Sequence, residues 1–146
     1  MNQALRRTAE ATLRVEQDPF IRGEVALSQG RFAEATTLLQ QAFDDNYSKH
    51  SPMAHWIADG LVTTLEHSGN TQKALEVLEK TSRTRMWVSL LAHPYGAFWM
   101  RDQARLSDYY HRLGREPEAR KIDDQLRKLL AVADRDDPIL RQLNGR

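Results

Sequence analysis

One short turn recurs three times in the chain, and it limits the fold more than any other feature. Each copy has a glycine, then a polar residue, and an alanine five positions after the glycine. The three copies begin at Gly30, Gly69 and Gly114. Glycine just beyond the end of a helix can take the left-handed backbone conformation that closes the helix. Alanine early in the next helix leaves room for close approach, so the turn predicts three helical hairpins.

Amphipathic segments lie on both sides of each turn. After the turns, apolar residues recur at helical spacing, and these are Leu38, Leu39 and Ala42, then Leu75 and Leu78, then Ile122, Leu126, Leu129 and Leu130. Valine and isoleucine are sparse, whereas alanine, leucine, arginine, glutamate and glutamine, which favour helices, are plentiful. Since no alternating apolar and polar run predicts a strand, we expect an all-α fold.

In these features the chain resembles the tetratricopeptide repeat family. That family has a small residue in the first helix, a glycine at its end, an alanine early in the second helix, and a leucine or aromatic residue four positions later. Gly23 and Ser107 occupy the small position in the first and third copies, whereas Val62 and Asp123 depart from the pattern. The resemblance implies a right-handed α-α superhelix (solenoid) of three such helix pairs with N-terminal and C-terminal capping helices.

The resemblance divides one predicted domain, residues 1–146, into repeats at about 19–47, 55–83 and 96–133 and a C-terminal cap at 134–146. The turn glycines lie 39 and 45 residues apart, against a period of about 34 for this class. An insertion is therefore expected at about 84–95, with a turn at His-Pro-Tyr-Gly, residues 93–96. A predicted helix at 3–16 is either a cap or half of a preceding repeat, in which case the chain is a fragment of a larger protein.

Several local signals predict how individual helices begin and pack. Asp18 before Pro19 and Asp137 before Pro138 each mark a helix start, and Pro117 falls in a first helical turn. Ile139, Leu140 and Leu143 are expected to fold back over the last repeat. The adjacent Tyr109 and Tyr110 point about 100° apart on a helix, so only one is expected to be fully buried.

Charge and composition exclude several functional classes. The 21 Lys+Arg and 20 Asp+Glu leave a net charge of +1, so no nucleic-acid partner is expected. The chain has no cysteine, which removes disulfides, thiolate catalysis and thiolate metal sites. No apolar run approaches the roughly 20 residues of a membrane span, and no secretory signal is present. A cytoplasmic location is therefore expected.

No motif indicates catalysis. The five histidines form no HExxH pattern, and the chain lacks GxSxG and a glycine-rich phosphate loop. We therefore expect no catalytic, cofactor-binding or metal-binding residues, and we predict that the chain is not an enzyme.

The resemblance implies that a partner binds in a concave groove lined by the first helix of each repeat. The corresponding positions are Glu24, with Phe20 beside it, then Trp56, Asp59, Thr63 and His67, then Arg101, Arg105, Asp108 and Arg112. The arginines form either a basic rim or a solvated face paired with Asp102 and Asp108. The predicted function is a scaffold or adaptor that binds an acidic or mixed-charge peptide or protein segment. The alternatives are a regulatory or sensory domain of a larger bacterial signalling protein, and self-association into a homo-oligomer.

Overall fold

The computed structural model describes residues 16–83, 93–133 and 137–145, without the side chains of residues 93–96. Its helices are α1 (Pro19–Ser28), α2 (Phe32–Ser48), α3 (Met53–His67), α4 (Thr71–Arg83), α5 (His93–Arg112), α6 (Glu116–Leu129) and α7 (Pro138–Asn144). These ranges contain no strand, which confirms the all-α prediction. The predicted helix at 3–16, apart from Glu16, and residues 84–92 of the insertion predicted at about 84–95 lie outside the described residues, whereas residues 93–95 belong to α5. Among those described, none of the helices is both long and apolar enough to span a bilayer.

All three turn glycines take the left-handed conformation predicted for them. Their φ angles are 71° at Gly30, 69° at Gly69 and 70° at Gly114. At the first turn, the Arg31 N–H donates to the Ala26 carbonyl at 2.9 Å, and the Gly30 N–H donates to the Leu27 carbonyl at 3.0 Å. The same pair of bonds closes α3 and α5, so each of the three helices ends in a Schellman motif.

The alanine of each turn also has the predicted role. Ala35, Ala74 and Ala119 are completely buried near the start of the helix after each turn. In the first hairpin, a Cβ atom built at Gly23 would lie 2.7 Å from the Leu39 side chain. Small residues at these positions therefore allow the backbone of one helix to approach the side chains of the next.

A fourth helix end uses the same geometry without glycine. After α2, His50 has a φ of 54°, and the Ser51 N–H donates to the Asn46 carbonyl at 2.9 Å. The left-handed region is unfavourable for a side chain with a Cβ atom, so His50 carries local backbone strain.

The predicted helix starts are confirmed. The Asp18 carboxylate accepts hydrogen bonds from the backbone N–H groups that open α1, and Asp137 does the same for α7. Proline occupies the first turn of both helices, and Pro117 lies in the first turn of α6. Because these prolines take positions whose N–H has no partner within the helix, they cost no backbone hydrogen bond.

The chain divides into two compact units, Met1–Ala74 and Leu75–Arg146. In the first unit, α1 packs on α2, α2 packs on α3, and α1 also contacts α3. In the second unit, α5 packs on α6, and α7 contacts α6. The core of the second unit includes Ala104, Leu126 and Leu143, with Met100, Ile122 and Ile139 packed against them. The prediction that Ile139 and Leu143 fold back onto the preceding helices is therefore confirmed.

Two local predictions are wrong. His-Pro-Tyr-Gly is the first turn of α5 and not a separate turn, because Pro94 at the start of a helix disrupts no hydrogen bond within the helix. Leu129 belongs to the apolar residues that recur at helical spacing after the third turn, but it is half-exposed near the end of α6 and does not lie in the core. The prediction for the two tyrosines is confirmed, since Tyr109 is 1% exposed whereas Tyr110 keeps 9% of its surface exposed beneath residues of α4 and of the turn after α5.

Candidate binding face and polar network

Two aromatic rings form the start of the predicted groove in the first unit. Phe20 of α1 and Trp56 of α3 meet edge to face, with ring centroids 5.1 Å apart and planes at 74°. Trp56 keeps 40% of its surface exposed in this arrangement. An exposed indole held in place by a neighbouring ring is typical of an interface anchor, because it can bury a large area on binding while its side chain loses little conformational entropy.

Glu24 lies one helical turn after Phe20 and reaches across to α3. A Cβ atom built at Gly60 would lie 2.5 Å from Oε1 of Glu24, so this carboxylate rests directly over the glycine. Oε1 is buried and accepts no hydrogen bond from any described residue. Burial raises the pKa of Glu24, and the negative charge of Asp59 raises it further. The structure thus brings Glu24 and Asp59, two predicted groove residues, within electrostatic range of each other.

The remaining predicted positions on α3 continue along the same face. Thr63 is half-buried, and its hydroxyl donates to the Asp59 carbonyl at 2.8 Å. His67 is exposed and stacks on Phe32 of α2, with ring centroids 4.3 Å apart and planes at 10°. The face therefore ends on a second pair of rings, which the sequence prediction did not include.

In the second unit, the predicted groove residues on α5 have several different environments. Arg101 and Arg112 are exposed, and the Arg112 guanidinium lies over the Tyr109 ring, 4.4 Å from its centroid. Arg105 is half-buried. Asp108 accepts a hydrogen bond from Gln142 of α7, so the C-terminal helix lies against this part of α5. Asp102 is completely buried and does not belong to a solvated surface.

A polar network that sequence reasoning missed joins α5 to α6. The Ser107 hydroxyl donates to Oδ1 of Asp123 at 2.5 Å, and both side chains are buried. Oδ2 of Asp123 lies 3.0 Å from Nε2 of His111, and Nδ1 of the same ring lies 3.1 Å from Glu116. The hydrogen bond to Asp123 raises the pKa of His111, and the hydrogen bond to Glu116 adds to this effect. The imidazolium form satisfies both carboxylates at once.

The network occupies the place of an apolar contact in the first hairpin. Ser107 and Asp123 are sixteen residues apart, as are Gly23 and Leu39, and each pair lies seven before and nine after a turn glycine. The first hairpin packs Leu39 against Gly23, whereas the third bonds Asp123 to Ser107. The departure of Asp123 from the repeat pattern, paired with a hydroxyl at the facing position, was the signal available in the sequence.

Serine, aspartate and histidine are the residue types of a hydrolytic triad, but their order in space is different. A nucleophilic serine needs its hydroxyl on the histidine, whereas Ser107 bonds to Asp123 and is completely buried. Each ring nitrogen of His111 lies beside a carboxylate, and both are used in hydrogen bonds between the helices. Among the described residues, no group of three or more potential ligands is placed to hold a metal. The network therefore fastens two helices together.

An open cavity of about 460 Å³ lies beside the network. It is lined by His111, Glu116, Arg120, Asp123, Asp124 and Arg127. Its two arginines are each engaged, since Arg120 lies 3.8 Å from Glu116, and Arg127 donates to the Leu143 carbonyl at 2.9 Å. The acidic side chains around the cavity therefore face two arginines and His111.

A second polar cluster covers Tyr110. Its hydroxyl donates to Glu79 at 3.0 Å, and Arg115 binds the same carboxylate oxygen at 3.0 Å while its guanidinium covers the ring at 4.2 Å. Burial raises the pKa of Tyr110, and the hydrogen bond to Glu79 also raises it. This cluster joins α4 to α5 within the second unit.

Comparisons with known proteins add no relative. No family model matches the chain, and neither a curated protein nor a solved structure matches it.

Proposed function

We propose that the chain is a tetratricopeptide-like helical-repeat protein that binds a peptide or protein segment and catalyses no reaction. The repeated Schellman turn with its buried alanine supports the repeat assignment. The contact of α1 with both α2 and α3 also supports it, since first helices of successive repeats pack together in a solenoid.

One observation carries the binding proposal, namely the Phe20–Trp56 pair on the face of α1 and α3. The Trp56 ring is held by Phe20 and has 40% of its surface exposed, so burying it against a partner removes unfavourable apolar surface from water. Glu24, Asp59, Thr63 and His67 continue the face, so a partner would contact polar groups as well as rings. An extended or helical segment is the occupant that matches such a narrow face.

A display selection with random dodecapeptides on the full chain tests this proposal. We expect selected peptides whose affinity falls at least tenfold for Trp56→Ala, because truncating an interface anchor costs about 2 kcal/mol or more. Leu129→Ala is the matched control, since Leu129 is a half-exposed apolar residue on a different helix. If Trp56→Ala and Leu129→Ala bind every selected peptide as well as the parent chain, the proposed face is wrong.

A further inference from the structure

The binding face of the first unit is layered. Trp56, Asp59, Thr63 and His67 follow one another at positions i, i+3, i+7 and i+11 of α3, on a single side of the helix. Contacts with α1 and α2 place Phe20 beside Trp56 and Phe32 beside His67. The carboxylates lie between these two ring pairs, so an occupant meets aromatic, acidic and aromatic surface in turn.

The Glu24 carboxylate is held in its layer by the shape of α3. Only glycine at position 60 leaves space for it, since a Cβ atom there would approach Oε1 to 2.5 Å. Glycine inside a helix is unfavourable, so Gly60 lowers the intrinsic stability of α3 at the point where the Glu24 carboxylate lies. Oε1 is buried without a hydrogen-bond donor among the described residues, which leaves the negative charge poorly compensated there.

The electrostatics of Glu24, like its geometry, make the ionised carboxylate unfavourable where it lies. Burial and the charge of Asp59 both raise the pKa of Glu24, so its ionised form is disfavoured in the unbound chain. A positive charge placed over the two carboxylates favours the ionised form of Glu24 and so offsets part of this penalty. Aromatic rings also attract cations, and Trp56 lies on the same side of α3 as Asp59, three positions earlier, so it favours the same kind of occupant.

From this arrangement we infer that the face binds a separate protein segment through an arginine or lysine side chain, seated over Glu24 and Asp59 between the two ring pairs. The inference rests on the proposed function and specifies its partner. The sequence predicted an acidic or mixed-charge partner, whereas at this unit we expect a basic one, because Glu24 and Asp59 repel an acidic segment.

The test resynthesises the selected peptides with each basic residue replaced by norleucine, which keeps the aliphatic stem and removes the charge. We expect one replacement to weaken binding to the parent chain about tenfold. The same replacement should have little effect on Glu24→Gln, because that variant lacks the charge with which the cation pairs. Glu34→Gln serves as the matched control, since Glu34 is an exposed glutamate of α2 paired with Arg31.

A second variant changes the position of the carboxylate and keeps its charge. Gly60→Ala places a methyl group where Glu24 rests, and the flexible glutamate must move away, whereas alanine favours the helix. We expect this variant to keep its helical circular dichroism and to lose about tenfold in affinity for the basic peptides.

The outcomes separate the two proposals. Peptides that need Trp56 but bind Glu24→Gln and Gly60→Ala as well as the parent overturn the basic-partner inference and leave the binding function in place. The same holds for peptides whose essential residue is acidic. If no selected peptide depends on Trp56, both proposals fail.

Discussion

The Ser107–Asp123 hydrogen bond can be tested by converting it to the apolar contact of the first hairpin. The variants are Ser107→Ala, Asp123→Leu and the double variant, which brings leucine against a small residue as Leu39 meets Gly23. Each single change removes one partner of a buried polar pair, whereas the double change removes both.

The structure sets the expected magnitudes. Asp123 is 4% exposed and Ser107 is completely buried, so water cannot replace the lost partner. Ser107→Ala removes a donor from a buried carboxylate, and Asp123→Leu removes the acceptor that also holds His111, so each should lower the free energy of unfolding by about 1–3 kcal/mol. In the double variant both buried partners are apolar, and His111, whose side chain is 25% exposed, keeps Glu116 and can reach water, so we expect stability within about 1 kcal/mol of the parent.

Urea unfolding followed by circular dichroism measures all four chains. Tryptophan fluorescence in the same titration checks that a single transition describes each chain. The cycle should yield a coupling free energy of about 1–3 kcal/mol. Additive effects, within about 0.5 kcal/mol, would refute the view that this pair fixes α6 against α5.

Three further predictions concern single residues. The two carboxylates around His111 raise its folded pKa, so its stabilising contribution is complete below the unfolded value of about 6.5 and is lost as pH rises through the folded pKa. Thermal unfolding across this range should show the parent's advantage over His111→Gln shrinking as pH rises, and a constant difference would contradict the assignment. The pKa of Glu24 is also raised, so its ionised form opposes folding, and Glu24→Gln should melt above the parent at pH 7 and lose this advantage on acidification. Equal melting temperatures of the parent and Glu24→Gln at pH 7 would argue that the ionised Glu24 carboxylate does not destabilise the fold. His50→Gly removes a left-handed residue that has a Cβ atom and should raise the free energy of unfolding in urea by about 1 kcal/mol, whereas a loss of stability would show that the imidazole is needed.

The turns were predictable because one residue type determines their geometry. Glycine readily takes the left-handed backbone conformation that ends a helix, so Gly30, Gly69 and Gly114 predicted the three turns directly. The helix end at His50 has the same conformation and carries no such mark. Pro94 was ambiguous because His-Pro-Tyr-Gly is compatible with two structures, a turn between helices and the first turn of a helix.

Packing across helices was harder to predict than the helices themselves. Tyr110 is buried because Glu79, thirty-one positions away, binds its hydroxyl and Arg115 covers its ring. Periodicity within one helix contains no information about such neighbours. The close approach of Glu24 to Gly60 likewise depends on the distance between α1 and α3, which only the folded chain fixes.

The polar network lies between these cases. Its two buried members occupy facing positions of a repeat, so the replacement of a leucine or aromatic residue by Asp123, opposite the hydroxyl of Ser107, was visible. Asp123 was read as a departure from the pattern and not as one half of a pair. A departure that faces a small hydroxyl residue in space indicates a local exchange of one contact for another, which keeps the hairpin intact.

The spacing of these pairs also bears on how quickly the chain finds its fold. Gly23 and Leu39, like Ser107 and Asp123, meet across only sixteen residues, so forming either contact closes a short loop and costs little chain entropy. Topologies dominated by such near neighbours have low relative contact order and fold in microseconds to milliseconds. A glycine that ends a helix thereby helps each hairpin to form early, before the chain has to bring distant segments together.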